Sequence, residues 1–248
     1  MRASHSVSAV FDDPNLVSVA GLVPVLGLAR RAGLHDLAGE RLSVPGPAGA
    51  QASGKVTALV AGMVAGADSI EDMDLLRHGG MGRLFTGLRA PTTLGTHLRA
   101  YAFGHVRQLD AVAARFLAGL ARNAPLLRGG DQVAYLDIDD TIRQTHGYHK
   151  QGVGYGYSKV KGLNALLATV STPTAAPVIA GTRLRRGSVN SAKGAARLVA
   201  DALVTARNAG VSGMVTLRAD GAYYTHDVIA AARPRENRLF ADECGHGL

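Results

Sequence analysis

The sequence has a single cysteine, no long apolar run and fewer acidic than basic residues, and each of these shortages excludes a class of protein. Cys244 alone cannot form an internal disulfide framework or a cysteine-ligated zinc site, so a reducing cytoplasm is the expected compartment. A membrane span needs roughly 20 apolar residues, and the longest apolar runs are shorter and broken by glycine or proline: LVSVAGLVPVLGLA and VTALVAGMVAGA. The polar first residues do not resemble a signal peptide. We therefore expect a soluble cytoplasmic protein without membrane contact.

The shortage of acidic residues gives the chain a strong positive charge. It has 27 Lys and Arg against 19 Asp and Glu, a formal net charge of +8 and an isoelectric point near 10.0. This charge favours a polyanionic partner, most simply a nucleic acid. With 248 residues, 47% of them hydrophobic, the chain is long enough to bury a core, as one large domain or two small ones.

The hydrophobic pattern divides the chain into three parts. Residues 1–128 have apolar residues at helical spacing, which predicts a helical region. Ordinary helix packing is favoured there over a DNA-binding helix-turn-helix around LARRAGLHDLAGERL, and DNA binding by this region stays open. Residues 129–232 predict a strand, a hairpin, a helix, a strand and a helix, that is, a mixed α/β (α+β) fold. Residues 233–248 have no clear periodicity and predict an aberrant or disordered tail.

Two of the predicted strands carry aspartates where they end. In DQVAYLDID the period of two places Asp137 and Asp139 on one face, and the strand GMVTLRA is followed directly by Asp220. Functional sites in α/β sheets gather at the carboxyl ends of strands. Close carboxylates repel one another unless they are paired or bound to a metal, and oxygen ligands select Mg²⁺ or Mn²⁺. Two such ions can activate a hydroxyl and stabilise a leaving oxygen, which indicates phosphodiester chemistry.

The same residues permit a simpler interpretation. If the first strand ends at Ile138, the acids after it form a solvated turn. Asp140 points away from Asp139 if the strand continues, and a role as a helix or turn cap is favoured for it.

Two groups of cations are candidates for DNA binding. Lysines alternate with tyrosines in GYHKQGVGYGYSKVKG, where the aromatic rings stack on bases or, alternatively, pack down as a lid over a glycine-rich turn. Arginines cluster in TRLRRG at a hairpin end, where they contact phosphates or form a solvated surface. The cations are Lys150, Lys159, Lys161, Arg183, Arg185 and Arg186, and the tyrosines are Tyr148, Tyr155 and Tyr157.

Four segments together resemble the catalytic core of bacterial insertion-sequence DDE transposases, in the insertion sequence 1380-type branch. They are LDIDDT, GYSKVKGLNALLAT, TRLRRGSVNSAKGAARLV and LRADGAYY, and the resemblance covers roughly residues 7 to 232. It implies a ribonuclease-H-like sheet, incomplete here, that cleaves and transfers DNA strands with Mg²⁺ or Mn²⁺. The D-x-T context selects Asp139 and the R-A-D context selects Asp220 as catalytic metal ligands. Asp137 is then a secondary metal ligand or exchanges roles with Asp139.

The resemblance also implies a third acid, a glutamate on a later helix, and DNA partners, namely transposon ends and a target. It further implies action as multimers on nucleoid DNA. Only 28 residues follow Asp220, and none of the candidates among them lies on a convincing helix beyond another strand: Asp227, Glu236, Asp242 and Glu243. We therefore expect a C-terminally truncated, catalytically incomplete and inactive transposase.

Two other functions compete with this interpretation. LDIDDT fits the D-x-D-x-T pattern of haloacid-dehalogenase-like phosphatases, with Asp137 as nucleophile and Asp139 as general acid. Antiparallel pairing of 163–172 with 176–184 favours the transposase core, whereas a helical crossover between them favours the phosphatase. The third function is that of a non-catalytic DNA-binding remnant.

Overall fold

The computed structural model describes residues 13–146 and 150–233, and the chain divides into the units Met1–His105 and Val106–Leu248. The division falls within a helix that precedes the first strand, whereas the predicted boundary at residue 128 follows that helix. Leu117 of this helix packs in the core of the second unit, which explains the earlier division. Of the predicted tail, only Arg233 lies within the described residues.

The first unit is helical, as the apolar spacing predicts. Its core includes Leu59, Met73, Met81 and Leu94, and the last two are completely buried. Its elements are α1 (Leu22–Arg31), α2 (Leu34–Arg41), α3 (Gly46–Gly49), α4 (Ala52–Val64), a 3₁₀ turn (Glu71–Leu76), α5 (Met81–Leu84) and α6 (Pro91–Arg99).

A buried lysine ties α4 to the segment before it in this unit. Lys55 is 5% exposed, and its Nζ donates hydrogen bonds to the carbonyl oxygens of Ala48 at 2.9 Å and Pro47 at 3.2 Å. His97 Nδ1 lies 2.8 Å from the same Ala48 oxygen, and its Nε2 lies 3.0 Å from the Tyr101 hydroxyl. Because a carbonyl only accepts, Nδ1 of His97 donates and Nε2 accepts the tyrosine proton.

Among its described residues, the second unit combines a five-stranded sheet with helices. The first strand continues to Gln144, so the interpretation that it stops at Ile138 is wrong. The elements are α7 (Phe103–Asn123), β1 (Val133–Gln144), β2 (Gly154–Tyr155), β3 (Lys161–Thr172), β4 (Ala175–Arg186), α8 (Ala195–Asn208), β5 (Met214–Ala219), a 3₁₀ turn (Gly221–Tyr223) and α9 (His226–Ala232).

The strand order places β1 between β3 and β5, in the part of the sheet that carries the predicted catalytic aspartates. β1 is antiparallel to β3 and parallel to β5, and β3 is also antiparallel to β4 and to the short β2. Residues 173 and 174 alone join β3 to β4, so the predicted hairpin is confirmed and there is no helical crossover. The predicted mixed α/β class is confirmed as well.

One face of the sheet forms the core against α8. Ala134, Leu136 and Ile138 of β1 are buried there with Leu198 and Val199 of the helix. Two parallel strands need a crossover connection between them, and α8 forms the crossover that connects β4 to β5. The helix begins after Gly194, whose φ of +80° is left-handed. Within residues 13–146 and 150–233, no helix has the length and apolarity needed to cross a membrane.

Candidate active site

The register of β1 and β5 determines where the two predicted catalytic aspartates lie relative to one another. Asp137 pairs with Arg218 and Ile138 pairs with Ala219, and the next positions on the two strands are Asp139 and Asp220. The backbone at Asp220 is still extended, with φ −61° and ψ 155°. Because neighbouring strands lie about 4.8 Å apart, this register brings the backbones of Asp139 and Asp220 side by side where β5 ends. Both residues are exposed.

A buried tyrosine, Tyr223, lies near the acidic residues of β1 and of the end of β5. This residue lies in the turn after β5, is 2% exposed and donates its backbone N–H to the Asp220 carbonyl oxygen at 2.9 Å. Burial, followed by the negative charges of Asp140, Asp139 and Asp220, raises the pKa of Tyr223 to about 12. Carboxylates from β1 and from the end of β5 thus act on one phenol. Its buried Oη has no hydrogen-bond partner among the described residues.

Asp137 lies on the same face as Asp139 and is held by an arginine. The Arg218 guanidinium donates from Nε to Asp137 Oδ1 at 2.6 Å and from Nη2 to Oδ2 at 2.7 Å. It also lies over the Tyr135 ring, 4.4 Å from the ring centroid. The predicted secondary metal ligand is therefore engaged by a cation through both of its oxygens.

Asp140 points to the opposite face, as the period of two predicts. Its Oδ2 accepts hydrogen bonds from Arg185 Nη2 at 2.6 Å and from Asn164 Nδ2 at 2.8 Å. Arg185 Nε donates in turn to Asn164 Oδ1 at 2.8 Å. The interpretation of Asp140 as a helix or turn cap is wrong, because its partners come from β3 and β4.

The structure divides the three arginines that the sequence groups for DNA binding. Arg185 has a side chain that is 6% exposed and donates to the carbonyl oxygens of Ser191 at 2.7 Å and Lys193 at 2.8 Å. Arg183 lies 3.4 Å from Asp201 Oδ2, and burial lowers the pKa of its guanidinium. Arg186 is exposed and forms no ion pair with any residue in the described ranges.

The predicted lysine–tyrosine loop lies beside β2 and β3. Lys150 and Lys159 are exposed and Lys161 is half-buried. Tyr155 is 65% exposed and Tyr157 is fully exposed, so the interpretation of these two tyrosines as a packed lid is wrong. Tyr148 lies outside the described residues.

The donor set fits a hard cation held by two carboxylates. In the part of the chain that the structure describes, no three His, Cys, Asp or Glu side chains form a group that could hold a metal ion. Mg²⁺ is, however, commonly bound through one or two carboxylates and several waters, which Asp139 and Asp220 can provide. Among the predicted candidates for a third acid, Asp227 is exposed on α9, and Glu236, Asp242 and Glu243 lie outside the described residues.

Arg218 and Tyr223 are the site residues that the sequence reasoning missed. The spacing of Arg218 from Asp137 equals that of Asp220 from Asp139, because 218 − 137 and 220 − 139 are both 81. Once Asp139 is placed opposite Asp220, the pairing of Arg218 with Asp137 follows. Tyr223 has no comparable sequence indication, because its burial depends on the turn after Asp220.

Comparisons with known proteins return one family. The model of the Transposase DDE domain group 1 family matches residues 1–240. No curated protein and no solved structure matches the chain significantly.

Proposed function

Because the chain belongs to the Transposase DDE domain group 1 family, we propose that Asp139 and Asp220 are its catalytic carboxylates and that DNA phosphodiesters are its substrate. The observation that supports the proposal is the β1–β5 register, in which the pairs Asp137–Arg218 and Ile138–Ala219 are followed along the two strands by Asp139 and Asp220. Transposases of this family act on DNA and generally use divalent metal ions.

Asp139 and Asp220 would hold Mg²⁺ or Mn²⁺ in this proposal. The bound ion would supply activation of a hydroxyl nucleophile and stabilisation of the leaving oxygen. The protein's own contribution is the rigid placement of one carboxylate on the central strand β1 and the other at the end of β5. Exposure of both residues leaves room for a DNA backbone to approach.

The DNA would be held by cations around the same sheet. Lys150, Lys159 and Arg186 are exposed, and Lys161 begins β3 beside the lysine–tyrosine loop. Phosphate contacts of this kind release counterions and make binding depend on salt. Arg183 and Arg185 do not belong to this surface in the proposal, because Arg183 is engaged by Asp201 and Arg185 is engaged by Asp140.

We propose that the chain is a member of the insertion sequence 1380-type branch and that its described residues supply two of the three carboxylates which that resemblance implies. Two carboxylates neutralise less metal charge than three, so metal affinity and strand transfer should both be weak. Its partners would be transposon ends and a target within the nucleoid, bound by an oligomer of identical chains. A DNA-binding remnant without catalysis is the second candidate, favoured by the lack of a three-acid group among the described residues.

Plasmid nicking tests the catalytic proposal. Supercoiled plasmid is incubated with the purified chain in Mg²⁺, Mn²⁺ or EDTA, and nicked product is measured on gels for Asp139→Asn and Asp220→Asn. Asp131→Asn, an exposed acid before β1, is the matched control. Weak nicking that needs metal, survives D131N and falls to background in D139N and D220N supports the proposal.

DNA binding by the same proteins separates the two candidates. If the chain binds DNA in EDTA but shows no nicking that depends on Asp139, the result supports the non-catalytic remnant and contradicts the catalytic proposal. A chain that neither binds nor nicks DNA contradicts both functions.

A further inference from the structure

The ion pair between Asp137 and Arg218 lies two register positions before Asp139 and Asp220. Arg218 reaches both oxygens of Asp137, at 2.6 and 2.7 Å, from the neighbouring strand. The side chains are 43% and 33% exposed, and the guanidinium also stacks on Tyr135. The pair therefore lies on the same face as the proposed catalytic carboxylates, two residues back along each strand.

This geometry opposes metal binding by Asp137. Each of its oxygens already accepts a charge-assisted hydrogen bond, and planar guanidinium matches carboxylate in this two-point arrangement. A divalent cation at Asp137 would have to displace the guanidinium and would be repelled by its charge. Asp139 makes no such ion pair among the described residues; its Oδ1 accepts only the neighbouring Asp140 N–H, at 2.7 Å.

We propose that Arg218 is a positioning residue that withholds Asp137 from the metal, so that Asp139 and Asp220 are the metal ligands. The inference rests on the proposed function, since it concerns the same metal site. By bridging β1 and β5 two residues before the site, Arg218 also holds the two strands in the register that brings the proposed catalytic pair together.

A simple surface ion pair is the competing explanation. Exposed salt bridges contribute little to stability, and loss of such a pair would raise the metal affinity no more than loss of another exposed arginine on this face. The positioning role predicts that removal of Arg218 raises the metal affinity, because it frees the Asp137 carboxylate. An increase is the unusual sign for the loss of a residue at a binding site.

Mn²⁺ binding to the whole chain, measured by calorimetry without DNA, tests this sign. Arg218→Gln should raise the affinity about three- to tenfold, by loss of a nearby positive charge and release of Asp137. Arg143→Gln is the matched control, because it removes an exposed arginine from the same face of β1. Arg218→Lys keeps the charge without the planar two-point contact and should give a smaller increase; it also serves if R218Q does not fold.

A double variant separates charge from ligation. Asp137→Asn with Arg218→Gln leaves the net charge unchanged and should keep the Mn²⁺ affinity within about twofold of the parent. Loss of binding in this variant as complete as in Asp139→Asn overturns the inference, because Asp137 would then be a ligand. An R218Q affinity no higher than that of R143Q overturns it as well.

The same measurements keep the two proposals apart. If Asp139→Asn abolishes Mn²⁺ binding but R218Q does not strengthen it, only the role of Arg218 fails. If the unsubstituted chain does not bind Mn²⁺, or if D139N binds as well as the parent, the proposed metal site fails and takes this inference with it.

Discussion

Asp140 and Arg185 form a 2.6 Å ion pair on the face of β1 opposite to Asp139. The arginine comes from β4 and reaches across β3, where Asn164 contacts both partners. The pair holds β1 in place from the opposite face of the sheet, at the residue that follows Asp139. Stability of the sheet and placement of the candidate active site are therefore linked at this point.

Replacement of Arg185 by methionine should destabilise the second unit strongly. The change leaves Asp140 and Asn164 without their shared donor, and loss of one partner of a buried pair costs roughly 3 kcal/mol. Urea denaturation followed by circular dichroism measures the free energy of unfolding. Arg186→Met, at the exposed next position, should change it by less than about 0.5 kcal/mol. Equal effects of the two substitutions would show that the Asp140 pair is not structural.

Tyr223 should make the folded chain sensitive to alkaline pH. Its pKa is about 12 in the folded protein against an ordinary value of 10.0, so the folded state holds the phenol proton more tightly than the unfolded state. The stability that this proton contributes is complete below pH 10 and is lost as pH rises towards 12. The loss is up to about 1.4 kcal/mol for each pH unit.

Tyr223→Phe keeps the ring and removes the titrating group. Its free energy of unfolding should fall less steeply than that of the parent between pH 10 and pH 11.5. The difference between parent and variant in absorbance at 295 nm, which reports tyrosinate, should show one tyrosine that titrates at a higher pH than the other tyrosines. Identical stability profiles for the two proteins would contradict the assigned environment of the phenol.

Gly187→Ala should distort the loop that carries the candidate DNA-binding lysines. A Cβ at residue 187 would collide with the backbone oxygens of Gly162 and Gly154. These atoms belong to β3 and β2 and cannot move as a flexible side chain can, so we expect a loss of roughly 2 kcal/mol or more in unfolding free energy. Gly104→Ala, in an open position on α7, is the control and should be neutral or stabilising.

Exposed cations near the site should set the salt dependence of DNA binding. Lys159→Gln and Arg186→Gln should each lower the slope of log affinity against log salt by about one, if each contacts one phosphate. Fluorescence anisotropy with a labelled duplex at several salt concentrations measures the slope. Arg197→Gln removes an exposed arginine that pairs with Asp201 on α8, and should leave the slope almost unchanged.

The alternation of side chains in strands explains which site residues the sequence could predict. The period of two places Asp137 and Asp139 on one face of β1 and Asp140 on the other, and the structure agrees. The same rule applied to TRLRRG separates Arg185 from Arg186, whereas their shared charge predicts the same role for both. The rule cannot supply the partner of Arg185, because Asp140 and Asn164 are 45 and 21 residues away in the chain.

Local signals were least informative where the chain leaves regular structure. The polar residues before α8 do not cap it: Asn190 Oδ1 accepts the N–H of Ala192 in a turn, and the helix starts three residues after Ala192, at Ala195. The hairpin of β3 and β4 could be predicted because two apolar runs flank a short polar turn. The burial of Tyr223 could not, since it depends on packing between the turn after β5 and the core.

The constant offset between β1 and β5 makes the site intolerant of small changes in strand length. One residue inserted between Val133 and Asp139 would rotate every later side chain of β1 to the other surface, turning Asp139 inward and Asp140 outward. Residues added between α8 and β5 would leave the pairing intact, because a loop there can lengthen without shifting either strand. Related chains should therefore vary in length around α8 and remain free of insertions within these two strands.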